Sequence, residues 1–134
     1  MDRQLTLKED FKPHWDYILP GLRKALEPQN GRIRTEDVYL DLALKRSLLF
    51  VCDDGFVILK KEQKANLDWE ALIWWAYSKS STSAILHYEE QVAEIAKILE
   101  CTSVGFLDPN ARRGYDRVLP DNWTLSYSKW VRRI

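Results

Sequence analysis

Two short apolar runs flank Asp53-Asp54-Gly55, and this feature constrains the fold more than any other part of the chain. The first run covers residues 47–52. The second, residues 56–61, is rich in β-branched and aromatic side chains. Asp-Gly between two such runs is a strong signal for a tight hairpin turn. We therefore expect two antiparallel strands, which need further elements to cover their apolar faces.

The segments after this hairpin alternate between strand and helix patterns. Residues 67–77 predict a third, long strand, and residues 84–100 carry an apolar stripe at helical spacing that predicts the longest helix. Residues 104–107 predict a short buried strand and residues 111–119 a short basic helix. Residues 123–134 alternate well enough to predict one final strand.

Two helical patterns precede the hairpin, over residues 10–26 and 36–45, with Pro20 as a candidate break in the first. The whole order predicts an α/β (α+β) fold, in which helices flank a mixed, mostly antiparallel sheet. We expect one domain over residues 1–134. Its N-terminal helical part would be residues 1–34, and residues 35–134 would hold the meander, the long helix and the C-terminal strands.

Composition narrows the class of protein. The chain has 134 residues, a usual single-domain size, with 20 basic and 20 acidic side chains and zero formal net charge. General attraction to nucleic acid or to an anionic membrane is therefore not predicted. Cys52 and Cys101 form no paired motif, and no apolar stretch is long enough to span a bilayer. We expect reduced thiols and a cytoplasmic protein.

This order of elements resembles the GNAT superfamily of N-acetyltransferases. In that fold two helices precede an antiparallel meander, a long helix, a strand, a short helix and a last strand. The segment from Asn110 to Tyr115, followed by Asp121-Asn122-Trp123, is similar to the closing region of such proteins. It also resembles the ending of small GNAT-like proteins encoded by tailed bacteriophages. The resemblance implies acetyl-CoA as cofactor and acyl transfer to an amine.

The resemblance also implies a cofactor loop before the long helix, where family members carry [QR]-x-x-G-x-[GA]. Here the segment lacks glycine, so side chains would crowd a bound pyrophosphate. Hydroxyl groups and a lysine could still hold phosphate, or the segment is a plain loop with a helix cap. The residues that would bind the cofactor are Tyr77, Ser78, Lys79, Ser80, Ser81, Thr82, Ser83 and, further along the chain, Asn110.

Tyr115 lies where the family often carries a tyrosine that protonates the leaving thiolate. A phenol can act as that acid, although a tyrosine packed between the last helix and the sheet is the more common explanation for such a position. A carboxylate that accepts the amine proton could be Glu62, Asp68 or Glu70, and the spacing selects none of them. The two histidines lie outside any zinc-binding pattern, so no metal is expected.

Two other functions stay open at this point. A non-catalytic GNAT-like phage protein could act in the host cytoplasm by binding a protein partner, as an assembly or host-directed factor, and a homodimer is compatible with this. Six tryptophans fit either such a surface or an aromatic core. Nucleic-acid binding is the weaker alternative. It would use the C-terminal cations Arg112, Arg113, Arg117, Lys129, Arg132 and Arg133.

Overall fold

The computed structural model describes residues 4–107, 119, 122–126 and 129–134. This part of the chain contains three α-helices, seven strands and two short 3-10 turns. The elements in chain order are β1 Thr6–Leu7, α1 Trp15–Leu26, α2 Thr35–Ala43, β2 Leu48–Cys52, β3 Gly55–Gln63, β4 Trp69–Ser78, α3 Ala84–Ile98, β5 Ser103–Leu107, β6 Trp123–Ser126 and β7 Lys129–Arg133.

The strands form one sheet in the order β1-β2-β3-β4-β5-β7-β6. The β2–β3 pair is antiparallel, with Cys52 opposite Gly55, so Asp53 and Asp54 form the turn that the sequence predicts. β4 and β5 are parallel, and α3 is the crossover between them. A parallel pair joined by a helix therefore interrupts a mostly antiparallel sheet, which confirms the predicted fold class.

The chain divides into two compact units, and the divisions fall within β3, β4 and α3. Unit 1 comprises Met1–Lys60 and Trp75–His87. Its helix α1 buries a stripe at i, i+4 spacing, namely Ile18, Leu22 and Leu26. The hairpin supplies the largest group of buried apolar side chains in this unit: Leu49, Phe50, Val51, Phe56, Val57, Ile58 and Leu59.

Unit 2 comprises Lys61–Trp74 and Tyr88–Ile134. Pairing of β4 with β5 matches Glu70 to Ser103 and Ile73 to Phe106. The rings of Phe106 and Trp123 pack edge to face with centroids 5.4 Å apart. The apolar stripe of α3 continues in this unit with Tyr88, Val92 and Ala96, all buried.

Several predictions about single elements need correction. The predicted single strand over residues 123–134 is wrong, because β6 and β7 form an antiparallel pair there. β1, a two-residue edge strand paired with β2, was not predicted. α1 continues through Pro20 without a break. The predicted helix over residues 111–119 lies almost wholly outside the described residues. No helix in the described part of the chain is long and apolar enough to cross a membrane.

Candidate functional site

Residues 79–83 connect β4 to α3, and we call them the β4–α3 loop. Ser83 ends the loop as the N-cap of α3, because its hydroxyl accepts the N–H of Leu86 at 3.4 Å. Its carbonyl accepts the N–H of His87 at 3.0 Å. The cap that the sequence allowed is therefore present, and it fixes where the helix begins.

Serine side chains accept hydrogen bonds from two backbone N–H groups of the loop. The N–H of Ser80 donates to Oγ of Ser78 at 3.1 Å, and the N–H of Ser83 donates to Oγ of Ser81 at 3.2 Å. The N–H of Lys79 donates to the backbone carbonyl of Asp54 at 2.7 Å. These contacts order the loop without glycine, since short hydroxyl side chains readily bond to nearby backbone.

Four N–H groups at the same place have no acceptor among the described residues. They belong to Ser81, Thr82, Ala84 and Ile85. Ala84 and Ile85 form the first turn of α3, where N–H groups lack an intrahelical partner and carry the positive end of the helix dipole. The donor set suits an anion such as phosphate.

The carboxylate of Asp54, in the β2–β3 turn, lies beside this loop. Its Oδ2 accepts the Ser78 hydroxyl at 3.2 Å and lies 2.6 Å from Nε2 of His87. Its Oδ1 accepts the thiol of Cys52 at 3.0 Å. Three hydrogen-bonding partners therefore share this carboxylate. The Asp54 side chain keeps 20% of its exposed area, so it is not sealed in the core.

Tyr17 of α1 also contacts the β2–β3 turn, through its hydroxyl group. Its hydroxyl lies 2.8 Å from the carbonyl of Cys52 and 3.0 Å from that of Asp53. Burial raises the pKa of the Tyr17 phenol, and electrostatic interaction with Cys52, Asp53 and Asp54 raises it further. The ammonium group of Lys79 lies 5.0 Å from the centre of the Tyr17 ring, which places a cation beside the loop.

One group of side chains in the described part of the chain has the composition of a metal site. Ligand atoms of Cys52, Asp53 and Asp54 lie within 4.8 Å of one another. The Cys52 thiol donates to the Asp54 carboxylate, so these two groups satisfy each other. In this structure the Cys52 and Asp54 side chains therefore brace the turn through a hydrogen bond.

The predicted cofactor residues do not all share one environment. Ser78 to Ser83 form the end of β4 and the loop. The ring of Tyr77 instead packs against Gly21 of α1, and Nζ of Lys24 lies 5.9 Å from its centroid. Tyr115 and Asn110 lie outside the described residues, so their roles stay predictions.

Among the three carboxylates proposed as proton acceptors, Glu70 is distinct. Its side chain is 1% exposed, and its Oε2 pairs with Nζ of Lys129 at 2.7 Å. Its Oε1 is buried without a hydrogen-bond partner in the described part of the chain. It lies 3.1 Å from where a Cβ on Gly105 would stand. Glu62 and Asp68 are exposed.

Two of the C-terminal cations are engaged in ion pairs. Lys129 contacts Glu70, and Arg132 lies 3.1 Å from Glu89 and 3.2 Å from Glu90. The Arg132 side chain is only 16% exposed. These ion pairs engage two of the six cations that the nucleic-acid alternative would use.

Comparisons with known proteins bear on this geometry. No protein-family model matches the sequence, and no curated protein matches it significantly. Among solved structures, the chain resembles a Bacillus subtilis acetyltransferase crystallised in complex with CoA. The TM-score is 0.53 over 98% of each chain, at 12% sequence identity. The chain has a GNAT-like acetyltransferase fold. This likeness confirms the GNAT-like fold that the order of elements implied. Because the sequence identity is only 12%, the likeness is evidence for the fold alone.

Asp54, His87 and Tyr17 are the members of the site that sequence reasoning did not assign. Asp54 was recognised only as a turn former, and Tyr17 lies 35 residues before the Cys52 carbonyl that it contacts. His87 follows the loop closely, so its position beside the site was visible in the sequence. Its partner was not visible, because the Asp54–His87 contact spans 33 residues.

Proposed function

We propose that this protein binds acetyl-CoA at the β4–α3 loop and transfers the acyl group to an amine. The observation that carries the proposal is the set of open N–H groups of Ser81, Thr82, Ala84 and Ile85. They follow the carboxyl end of β4, inside a parallel β4–α3–β5 unit. Ligands of open α/β sheets bind outside the carboxyl ends of strands, and helix N-termini favour phosphate.

The residues present fit a phosphate group. The side chains of the loop and first helical position are small, apart from that of Lys79, and Lys79 supplies a positive charge nearby. Serine hydroxyls hold the backbone in place of glycine, as described above. The charge of Asp54 opposes an anion, but its three hydrogen-bond donors reduce that repulsion.

Acetyl-CoA, when bound, supplies a thioester-activated acyl group. The chain's own contribution is to anchor the pyrophosphate through the four N–H groups and, through the phenol of Tyr115, to donate a proton to the thiolate that leaves. Replacing Tyr115 by phenylalanine is then expected to lower kcat while leaving acetyl-CoA affinity nearly unchanged. A kcat equal to that of the wild type would remove Tyr115 from the proposal.

The anchoring role is tested by deleting one N–H donor. Ala84 is the first residue of α3, a position where proline is tolerated, so Ala84→Pro removes the donor with little harm to the helix. Calorimetry should show acetyl-CoA affinity reduced about tenfold or more, the value of one hydrogen bond to a charged group. Ala84→Ser keeps the N–H and is the matched control.

Equal affinity of the proline and serine variants for acetyl-CoA, with unchanged circular dichroism, would contradict the anchoring role of α3.

The similarity of the Asn110–Trp123 segment to phage proteins supports a further proposal of phage origin and of action in the host cytoplasm. Complete absence of acetyl-CoA binding would leave the protein-binding alternative.

A further inference from the structure

A concave region lies in unit 1. It has a volume of about 370 Å³, within the range of small-molecule sites. Its apolar lining comes from β1, α2, the start of β2 and the segment before α1: Leu7, Phe11, Leu42, Leu48 and Leu49. We call it the β1–α2 pocket. It shares no lining residue with residues 78–87.

Ser47 gives this pocket a polar group that the fold itself leaves unused. The residue lines the pocket and is 6% exposed. Its hydroxyl is buried and has no hydrogen-bond partner among the described residues. A buried hydroxyl without a partner costs free energy. Since a serine side chain turns between staggered rotamers about one bond, the hydroxyl can be directed to a polar group in the pocket.

The charged residues of the pocket favour an anion. Lys8 and Lys45 both line it, against the single acidic residue Glu9. Lys45 lies two residues after the end of α2 and is exposed, so its ammonium group can reach over the opening. One net positive charge, one unused hydroxyl and five apolar side chains together match a ligand with an alkyl chain and one negative head group.

We infer that the β1–α2 pocket binds a medium-chain alkyl carboxylate, with its head group at Ser47 and the two lysines. The alkyl chain lies on the leucines and Phe11, where removal from water stabilises it by roughly 25 cal/mol per Å². This inference does not depend on acetyl-CoA binding, because the two sites use different residues.

Octanoate is the probe. We expect saturable, 1:1 changes in the amide NMR shifts of residues 7–9 and 45–49, with a dissociation constant below about 1 mM. Octanol has the same chain length without the charge and should bind at least about tenfold more weakly if the lysines and Ser47 hold the head group. Shifts confined to other residues, or equal affinity for octanol, would overturn the inference.

Three variants locate the site. Leu48→Trp fills the pocket from a half-buried position and should reduce octanoate affinity at least about tenfold. Leu67→Trp adds the same ring at an exposed leucine outside the pocket and should leave octanoate affinity unchanged. Lys8→Gln/Lys45→Gln alters only surface charge and should weaken binding even if the tryptophan variant folds poorly. Retained affinity in that double variant would contradict the assigned head-group site.

Discussion

Nε2 of His87 lies 2.6 Å from Oδ2 of Asp54, so the first turns of α3 are tied to the β2–β3 turn. The same carboxylate oxygen accepts the hydroxyl of Ser78, at the other end of the β4–α3 loop. Asp54 therefore fixes both ends of the segment whose N–H groups stay open. The residue that the hairpin requires as a turn former also orders the candidate site.

Replacing Asp54 by asparagine tests this role. Asp54→Asn keeps the size of the side chain but removes its charge and one acceptor oxygen. We expect a loss of about 1–3 kcal/mol in the free energy of unfolding, measured with urea. Asp53→Asn is the control, because that neighbouring side chain has no hydrogen bond among the described residues, and it should change stability by less than about 0.5 kcal/mol. Equal losses would contradict the role of Asp54.

Alkaline pH should weaken the brace made by Tyr17. An unfolded tyrosine ionises near pH 10, whereas burial raises the pKa of Tyr17 in the folded protein. Above about pH 10 the folded state therefore retains a proton that the unfolded state loses. The stability contribution is full below that pH and is lost as pH rises through the folded pKa.

The Tyr17→Phe variant should consequently show a shallower fall of unfolding free energy between about pH 9 and 11 than the wild type. Tyr39→Phe is the comparison, since the Tyr39 hydroxyl makes no hydrogen bond within the described residues. At pH 7, Tyr17→Phe should cost about 1–2 kcal/mol, because it removes the one hydroxyl proton that the carbonyls of Cys52 and Asp53 share. Identical pH profiles for Tyr17→Phe and wild type would contradict this account.

Gly21→Ala should destabilise the protein, although alanine normally stabilises a helix relative to glycine. A Cβ at residue 21 would lie 2.7 Å from Cγ of Tyr77 and closer still to the next ring carbon. Overpacking of this kind costs about 1–3 kcal/mol. In a Tyr77→Leu background the same substitution should cost much less, and a double-mutant cycle by thermal unfolding measures the difference. Additive effects would show that the ring is not the obstacle.

Lys129→Met should be the most destabilising of the charge changes, by about 3 kcal/mol, because it leaves the buried Glu70 carboxylate without its ion pair. Adding Glu70→Gln to the Lys129→Met variant removes the charge of the unpaired carboxylate and should recover part of the lost unfolding free energy. Lys97→Met breaks the exposed pair with Glu94 and should cost under about 0.5 kcal/mol. Similar costs for Lys129→Met and Lys97→Met in urea unfolding would contradict a buried pair.

Local patterns were sufficient to predict most of the fold. The Asp-Asp-Gly turn and the apolar stripe of α3 depend on neighbours within a few residues, so the hairpin and the helix follow from sequence alone. The sequence pattern did not predict the antiparallel C-terminal pair β6–β7. Its strands are separated by two residues without a glycine or proline turn signal, so the alternating pattern continues across the break.

The candidate site was predictable only in its backbone part. The run of small polar residues before α3 predicts a cap and a loop, and both are present. The contacts of Tyr17 and His87 join segments more than 30 residues apart, and no spacing rule encodes them. The burial of Glu70 depends on Gly105 across the parallel pair, a relation set by strand register.

Calorimetric titration of the wild-type protein with acetyl-CoA tests the central proposal most directly. The proposal predicts saturable 1:1 binding, accompanied by amide NMR shifts at residues 81–85, where the open N–H groups lie. No heat of binding and no shifts in these amides at ligand concentrations up to about 1 mM would contradict it, since that is the upper range of typical substrate affinities.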